Sequence, residues 1–123
     1  MTLKEKHIKF WNAIIKTLKT GDFDDNIYDF TDLKEEVWCK VFNRTKETMP
    51  HGICYACEEA DIREHKYEDY RSNCYYCPII KRCNECIAPN STYYLLGRTF
   101  EEGNYDIDDI VGMCEVIRDS WEE

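Results

Sequence analysis

The sequence predicts a mainly α fold: a small helical domain stapled in its middle by a cysteine-rich region. Three observations predict it. Apolar residues recur at helical spacing over 3–20, 32–46 and 107–121. Six of the eight cysteines fall between positions 54 and 86, as three C-x-x-C pairs. No alternation of strand and helix patterns runs through the chain, and nothing repeats beyond the C-x-x-C pairs. At 123 residues the chain fits a single domain, 1–123. We divide it into an N-terminal helical part (1–50), a cysteine-rich region (51–90) and a C-terminal helical part (91–123).

The first helix opens on Thr2, whose T-L-K-E pattern places Glu5 for a capping box. Leu3, His7, Phe10, Trp11, Ile14, Ile15 and Leu18 then share one face, and Gly21 marks the stop. Residues 21–31, "GDFDDNIYDFT", read as an acidic, turn-rich linker with aromatic anchors. Asp32 heads a second helix over 32–46 with Leu33, Val37, Trp38, Val41 and Phe42 inward. Met49, Pro50 and Gly52 interrupt the chain before the first cysteine pair.

Residues 58–72 are charged and free of Gly and Pro, which suits a short exposed helix between two cysteine turns. Residues 78–90 read as irregular, punctuated by Pro78 and Pro89. Ser91 is placed to cap a helix through "TYYLLGRTFEEG", although Thr92, Tyr93 and Tyr94 also suit a strand. The last helix keeps Ile107, Ile110, Val111, Cys114, Ile117 and Trp121 on one face. Asp106, Asp108 and Asp109 crowd its start, where the helix dipole favours negative charge.

The start, "MTLKEKHIKFW", is charged where a signal peptide needs an apolar run, and no stretch of about 18 apolar residues exists to span a membrane. The expected location is the cytoplasm, where thiols stay reduced. Cysteines there read as metal ligands before disulfides. A C-x-x-C turn presents two sulfurs from one bend, and a second such turn completes a tetrahedral set. Cys54, Cys57, Cys74 and Cys77 therefore form the expected structural zinc (Zn2+) site. Cys83 and Cys86 replace one pair, join His51, His65 or Cys39 in a second site, or are plain solvent-facing or core thiols.

An all-cysteine site is closed, so a catalytic zinc is not expected. The chain has no H-E-x-x-H motif, and Pro78 follows Cys77 rather than preceding a pair as in the zinc deaminases. The expectation is a protein that is not an enzyme. Cys114, on an apolar helix face, reads as a small buried hydrophobe.

Net charge is −9, with a sequence pI near 4.8. A four-cysteine zinc site would make the folded chain about two charges more negative. Such a surface repels nucleic acid and anionic membranes, so neither is an expected partner. The acid lies in two blocks, 22–36 and 101–123. Acidic faces serve solubility; they also suit a basic protein partner, and Asp24, Asp25, Asp106, Asp108 and Asp109 are the candidate contact residues. The opposing reading is a zinc-knuckle nucleic-acid-binding or transcription-regulating module, using Lys81, Arg82, Tyr75 and Tyr76.

The order "CYAC", "CYYCPI", a Tyr-rich helix and "EVIRDSW", across about residues 51–121, resembles small cysteine-rich proteins of phages and prophages of low-GC Gram-positive bacteria. Those proteins often carry C-x-x-C, C-x-x-C-P-hydrophobic and a terminal I-R-D-x-W stretch. Cys83 and Cys86 exceed that pattern. In size and acidity, though in no motif, the chain is also similar to the type II anti-CRISPR proteins, which inhibit Cas9 by binding it. The resemblance implies a host bacterial cytoplasm and a host protein as partner, with the Cas9 effector complex first. A rigid acidic domain docking beside that effector's basic channels would obstruct DNA binding.

Overall fold

Leu3–Thr20 forms α1, and both of its ends follow from the sequence. Thr2 and Glu5 exchange side-chain-to-backbone hydrogen bonds in a capping box, and Gly21 closes the helix at φ 68, in the left-handed region that an L side chain adopts only with strain. This computed structural model describes residues 1–24, 26–42, 54–67, 76–83 and 90–123. The remaining elements are α2 (Phe30–Phe42), α3 (Tyr55–Tyr67), α4 (Ile80–Cys83), α5 (Thr92–Glu102) and α6 (Ile107–Asp119), with no strand among the described residues. The fold is mainly α.

Three boundaries differ from the sequence reading. α2 begins at Phe30, ahead of Asp32, because Asp29 serves the start: its carboxylate accepts the Thr31 N–H at 2.8 Å and its carbonyl accepts Leu33 N–H at 3.3 Å. α3 begins at Tyr55, three residues ahead of the expected 58, and so takes Cys57 into its first turn. The stretch after Pro78 is not irregular throughout, since Ile80–Cys83 closes a helical turn. The expected extensions of α2 over 43–46 and of α3 over 68–72 lie outside the described residues. At α5 the helix is formed and the strand alternative is not: Ser91 caps it by accepting Tyr94 N–H at 2.9 Å.

α1 is the central element, packed against α6, α2 and α3, while α5 lies on α6 and α2. Phe10, Trp11, Ile14, Ile15 and Leu18 from α1 meet Leu33, Val37 and Trp38 of α2 and Ile110, Val111, Cys114 and Ile117 of α6. Burying this many large side chains is the main stabilising term, at about 1.5–3 kcal/mol each. The rings interlock: Trp11 stacks on Phe30 at 6.2 Å, and Phe10 meets Tyr55 edge-on at 6.2 Å.

The C-terminal segment ties the cysteine-rich region to this bundle. The Glu122 N–H donates to Pro78 O at 2.8 Å, and Arg63 Nη2 donates to Glu122 O at 2.9 Å. Lys81 Nζ lies 3.2 Å from Glu122 Oε2. One residue near the chain end thus holds both α3 and the turn around Cys77.

Candidate functional site

Three of the four expected zinc ligands lie among the described residues, and the helix boundaries position them. Cys54 sits at the threshold of α3, where its carbonyl accepts Glu58 N–H at 3.4 Å. Cys57 follows in the first turn, so the C-x-x-C segment wraps the N-terminus of a helix whose unpaired N–H groups favour negative charge. The Cys54 thiol is held well below the ordinary thiol range. The first cause is the Cys57 side chain hydrogen-bonded to it; the charge of Lys34 and the Cys57 and Ala56 amides act in the same direction, against the opposing effect of burial. A thiol that ionises readily beside a second cysteine makes a pair of the kind from which half of a tetrahedral thiolate set can be built.

Cys77 is half-buried, packs against the core and has its carbonyl bonded by Ile80 N–H at 3.2 Å. Cys83 is a different kind of group. It is 1% exposed, with its sulfur 3.5 Å from Ser120 Oγ. Cys74, Cys86 and His51 lie outside the described residues. Among the described residues no three His, Cys, Asp or Glu side chains gather as a metal-holding group. His65 is exposed, with Nδ1 2.7 Å from Asp61 O in its own helix. Cys39 is partly buried against the core, and Cys114 is fully buried, its thiol pushed up to about 12 by burial. Cys114 is thus the core hydrophobe that its position on α6 announces.

Lys34 is the residue that sequence reasoning missed beside this region. It is 1% exposed, stands over the Tyr93 ring with Nζ 4.5 Å from the centroid, and donates to the Tyr93 hydroxyl. One turn on, Trp38 Nε1 donates to Tyr55 Oη at 2.8 Å, which fixes α2 against the residue next to Cys54. The signal was available: Lys34 lies three and four residues before Val37 and Trp38, on the face that helical spacing buries.

The acidic candidates form a second feature. Asp24 caps a turn by accepting Asn26 N–H at 2.9 Å, and Asp106 caps α6 by accepting Asp108 N–H at 2.9 Å. Asp108 and Asp109 occupy the first turn of α6, and Asp25 lies outside the described residues. Phe100 draws the two acidic blocks together. Its ring meets Phe23 at 6.1 Å, Phe30 at 5.5 Å and Tyr105 at 5.7 Å. The 21–29 linker and the α5–α6 connection therefore converge on one end of the bundle. Asp22, Asp24, Asp29, Glu101, Glu102, Asp106, Asp108 and Asp109 are all exposed there.

No described helix is long and apolar enough to cross a membrane. Compared with protein-family models, with curated proteins and with solved structures, the chain finds no match.

Proposed function

We propose that this chain is a non-enzymatic, zinc-stabilised acidic protein that binds and inhibits a host nucleic-acid-handling effector, with the Cas9 complex as the first candidate. The observation that carries the reading is the convergence of the two acidic blocks on Phe100, which concentrates carboxylates that are far apart in sequence on one end of the bundle. Against them stand Lys19 in the last turn of α1 and Arg98, which is paired with Glu102 at 3.5 Å. Such an end complements a channel built to hold phosphates, and charge complementarity of this kind steers association and selects partners. The same field disfavours contact with DNA itself.

Zinc in this reading is structural. Cys54 and Cys57 would hold it with Cys74 and Cys77, and it would fix the middle of the chain without an open coordination position. Rigidity lowers the ordering cost of docking. The phage origin and the bacterial cytoplasm belong to the same proposal.

The test is target-DNA binding and cleavage by guide-loaded Cas9, with the zinc-loaded protein titrated in and DNA binding by the protein alone as control. Inhibition without DNA affinity is the expected outcome. Clear DNA binding with no effect on Cas9 from Gram-positive hosts would overturn it.

A further inference from the structure

A groove of about 430 Å³ runs between the start of α2 and α5, next to the acidic end. Phe30 and Gly97 lie along it, Tyr93 and Tyr94 form an aromatic wall, and Asp29 and Glu101 supply carboxylates. Arg98 also lines it, with its charge met by Glu102 at 3.5 Å. Tyr94 is 40% exposed, and Tyr28, just before Asp29, is 74% exposed.

α5 breaks two local rules along this groove. Gly97 stands inside the helix, where glycine costs roughly 0.5–1 kcal/mol relative to alanine. No packing requires it, since a Cβ built there meets nothing within 4 Å. The missing side chain leaves the groove open. The last turn of α5 has no basic residue. It holds Glu101 and Glu102 instead, where the helix dipole favours cations. Local choices that oppose the fold mark positions retained for something else. Here both conflicts are relieved by one kind of occupant, a cation entering from outside.

We propose that this groove is the docking site for a basic segment of the partner protein and that it receives an arginine side chain. The inference rests on the reading of the chain as a binder of a basic effector. A guanidinium is planar, donates to carboxylates through a fixed fork and stacks on aromatic rings. Asp29, whose carboxylate also caps α2, and Glu101 offer carboxylate oxygens to such a group, and Tyr94 offers the ring face. An arginine there also meets the C-terminal end of α5, where Arg98 is already engaged by Glu102 at 3.5 Å.

The experiment uses the full zinc-loaded chain and a fluorescein-labelled nona-arginine peptide, followed by fluorescence anisotropy. Gly97→Leu fills the groove with a good helix former, and Glu101→Gln removes one carboxylate. Both are expected to raise the melting temperature while weakening peptide binding about tenfold or more, the scale of a lost charge-assisted contact. Glu115→Gln on α6 makes the same change in net charge away from the groove and should leave binding within about twofold, as expected for an exposed, distant charge.

No binding by the wild-type chain, undiminished binding by Gly97→Leu, or an equal loss in Glu115→Gln would each overturn the groove. The same variants go into the Cas9 assay. Inhibition by the wild type and equally by Gly97→Leu removes the groove and leaves the inhibitor reading standing. Groove-dependent peptide binding with no effect on Cas9 supports the groove and removes Cas9 as the partner.

Discussion

His7 of α1 and Ile117 of α6 are joined inside the core, with His7 Nε2 3.0 Å from the Ile117 carbonyl oxygen. The neutral ring with its proton on Nε2 donates to a carbonyl in the last turn of α6 that also accepts the Ser120 N–H at 3.4 Å. Trp121 covers the ring at 5.1 Å. Burial lowers the pKa of His7 from 6.5 to about 4, only partly offset by its bonds to the backbone and the nearby Asp119.

A lowered histidine pKa makes stability depend on pH in one direction. The unfolded chain takes up its proton first, so stability is full above about pH 6.5, falls as pH drops toward 4 and levels off below it. The interval of about 2.5 units corresponds to roughly 3 kcal/mol. Urea unfolding at pH 7, 5.5 and 4 should show this loss in the wild type. His7→Gln, which can keep a donor toward Ile117, should remove that component, leaving only the contribution of the carboxylates. Equal slopes in the two proteins would show that His7 is not the group titrating.

Tyr55 gives a second prediction. Its hydroxyl accepts the Trp38 indole N–H at 2.8 Å, and both side chains are buried. Tyr55→Phe keeps the ring and its contacts with Phe10 and Phe42, but leaves the indole N–H without that acceptor. The expected cost is about 1–3 kcal/mol by equilibrium unfolding. A change within a few tenths of a kcal/mol would mean that the indole finds another acceptor at no cost.

Periodicity made the bundle legible because α1, α5 and α6 each carry an apolar stripe and a local cap: Thr2, Ser91 and Asp106 act as their positions announce. The start of α2 is ambiguous in the sequence because Asp29 and Asp32 both suit a cap, and packing of Phe30 against Trp11 and Phe100 favours the first. The start of α3 is not legible from its charged run, because its buried residues Tyr55 and Ala56 precede that run. The two acidic blocks were legible as composition. Their meeting at one end was not, since it depends on contacts of Phe100 with rings up to 77 positions away, at Phe23. The alternative ligand Cys83 shows a further limit, because spacing cannot reveal that its sulfur faces Ser120.

The zinc reading predicts a folding phenotype. Replacing Cys54 or Cys77 by Ser removes one ligand from the expected set, and binding free energy in such a site is folding free energy. Each variant should bind less than one equivalent of zinc by atomic absorption and lose helical signal in far-UV circular dichroism. The α3 contacts of Tyr55 and Arg63 are expected to loosen first. Wild-type protein treated with a chelator should behave in the same way. An unchanged melting curve in both variants would mean that the ligand set is misassigned.

The acidic end makes the last prediction. Asp106→Asn, Asp108→Asn and Asp109→Asn together remove three carboxylates from the start of α6 while asparagine preserves the cap at 106. Loss of the dipole interaction at 108 and 109 costs about 0.3–1 kcal/mol each, so folding is checked first by thermal unfolding. Inhibition of guide-loaded Cas9 should weaken by about tenfold or more, mainly through slower association, and the deficit should shrink as salt rises toward about 0.5 M. A matched triple, Glu64→Gln, Glu115→Gln and Glu123→Gln, alters net charge equally without touching that end. If the interface lies where Phe100 gathers the two blocks, this control should inhibit nearly as well as the wild type. Equal loss in both triples would assign the effect to total charge and leave the end of the bundle no special part in binding.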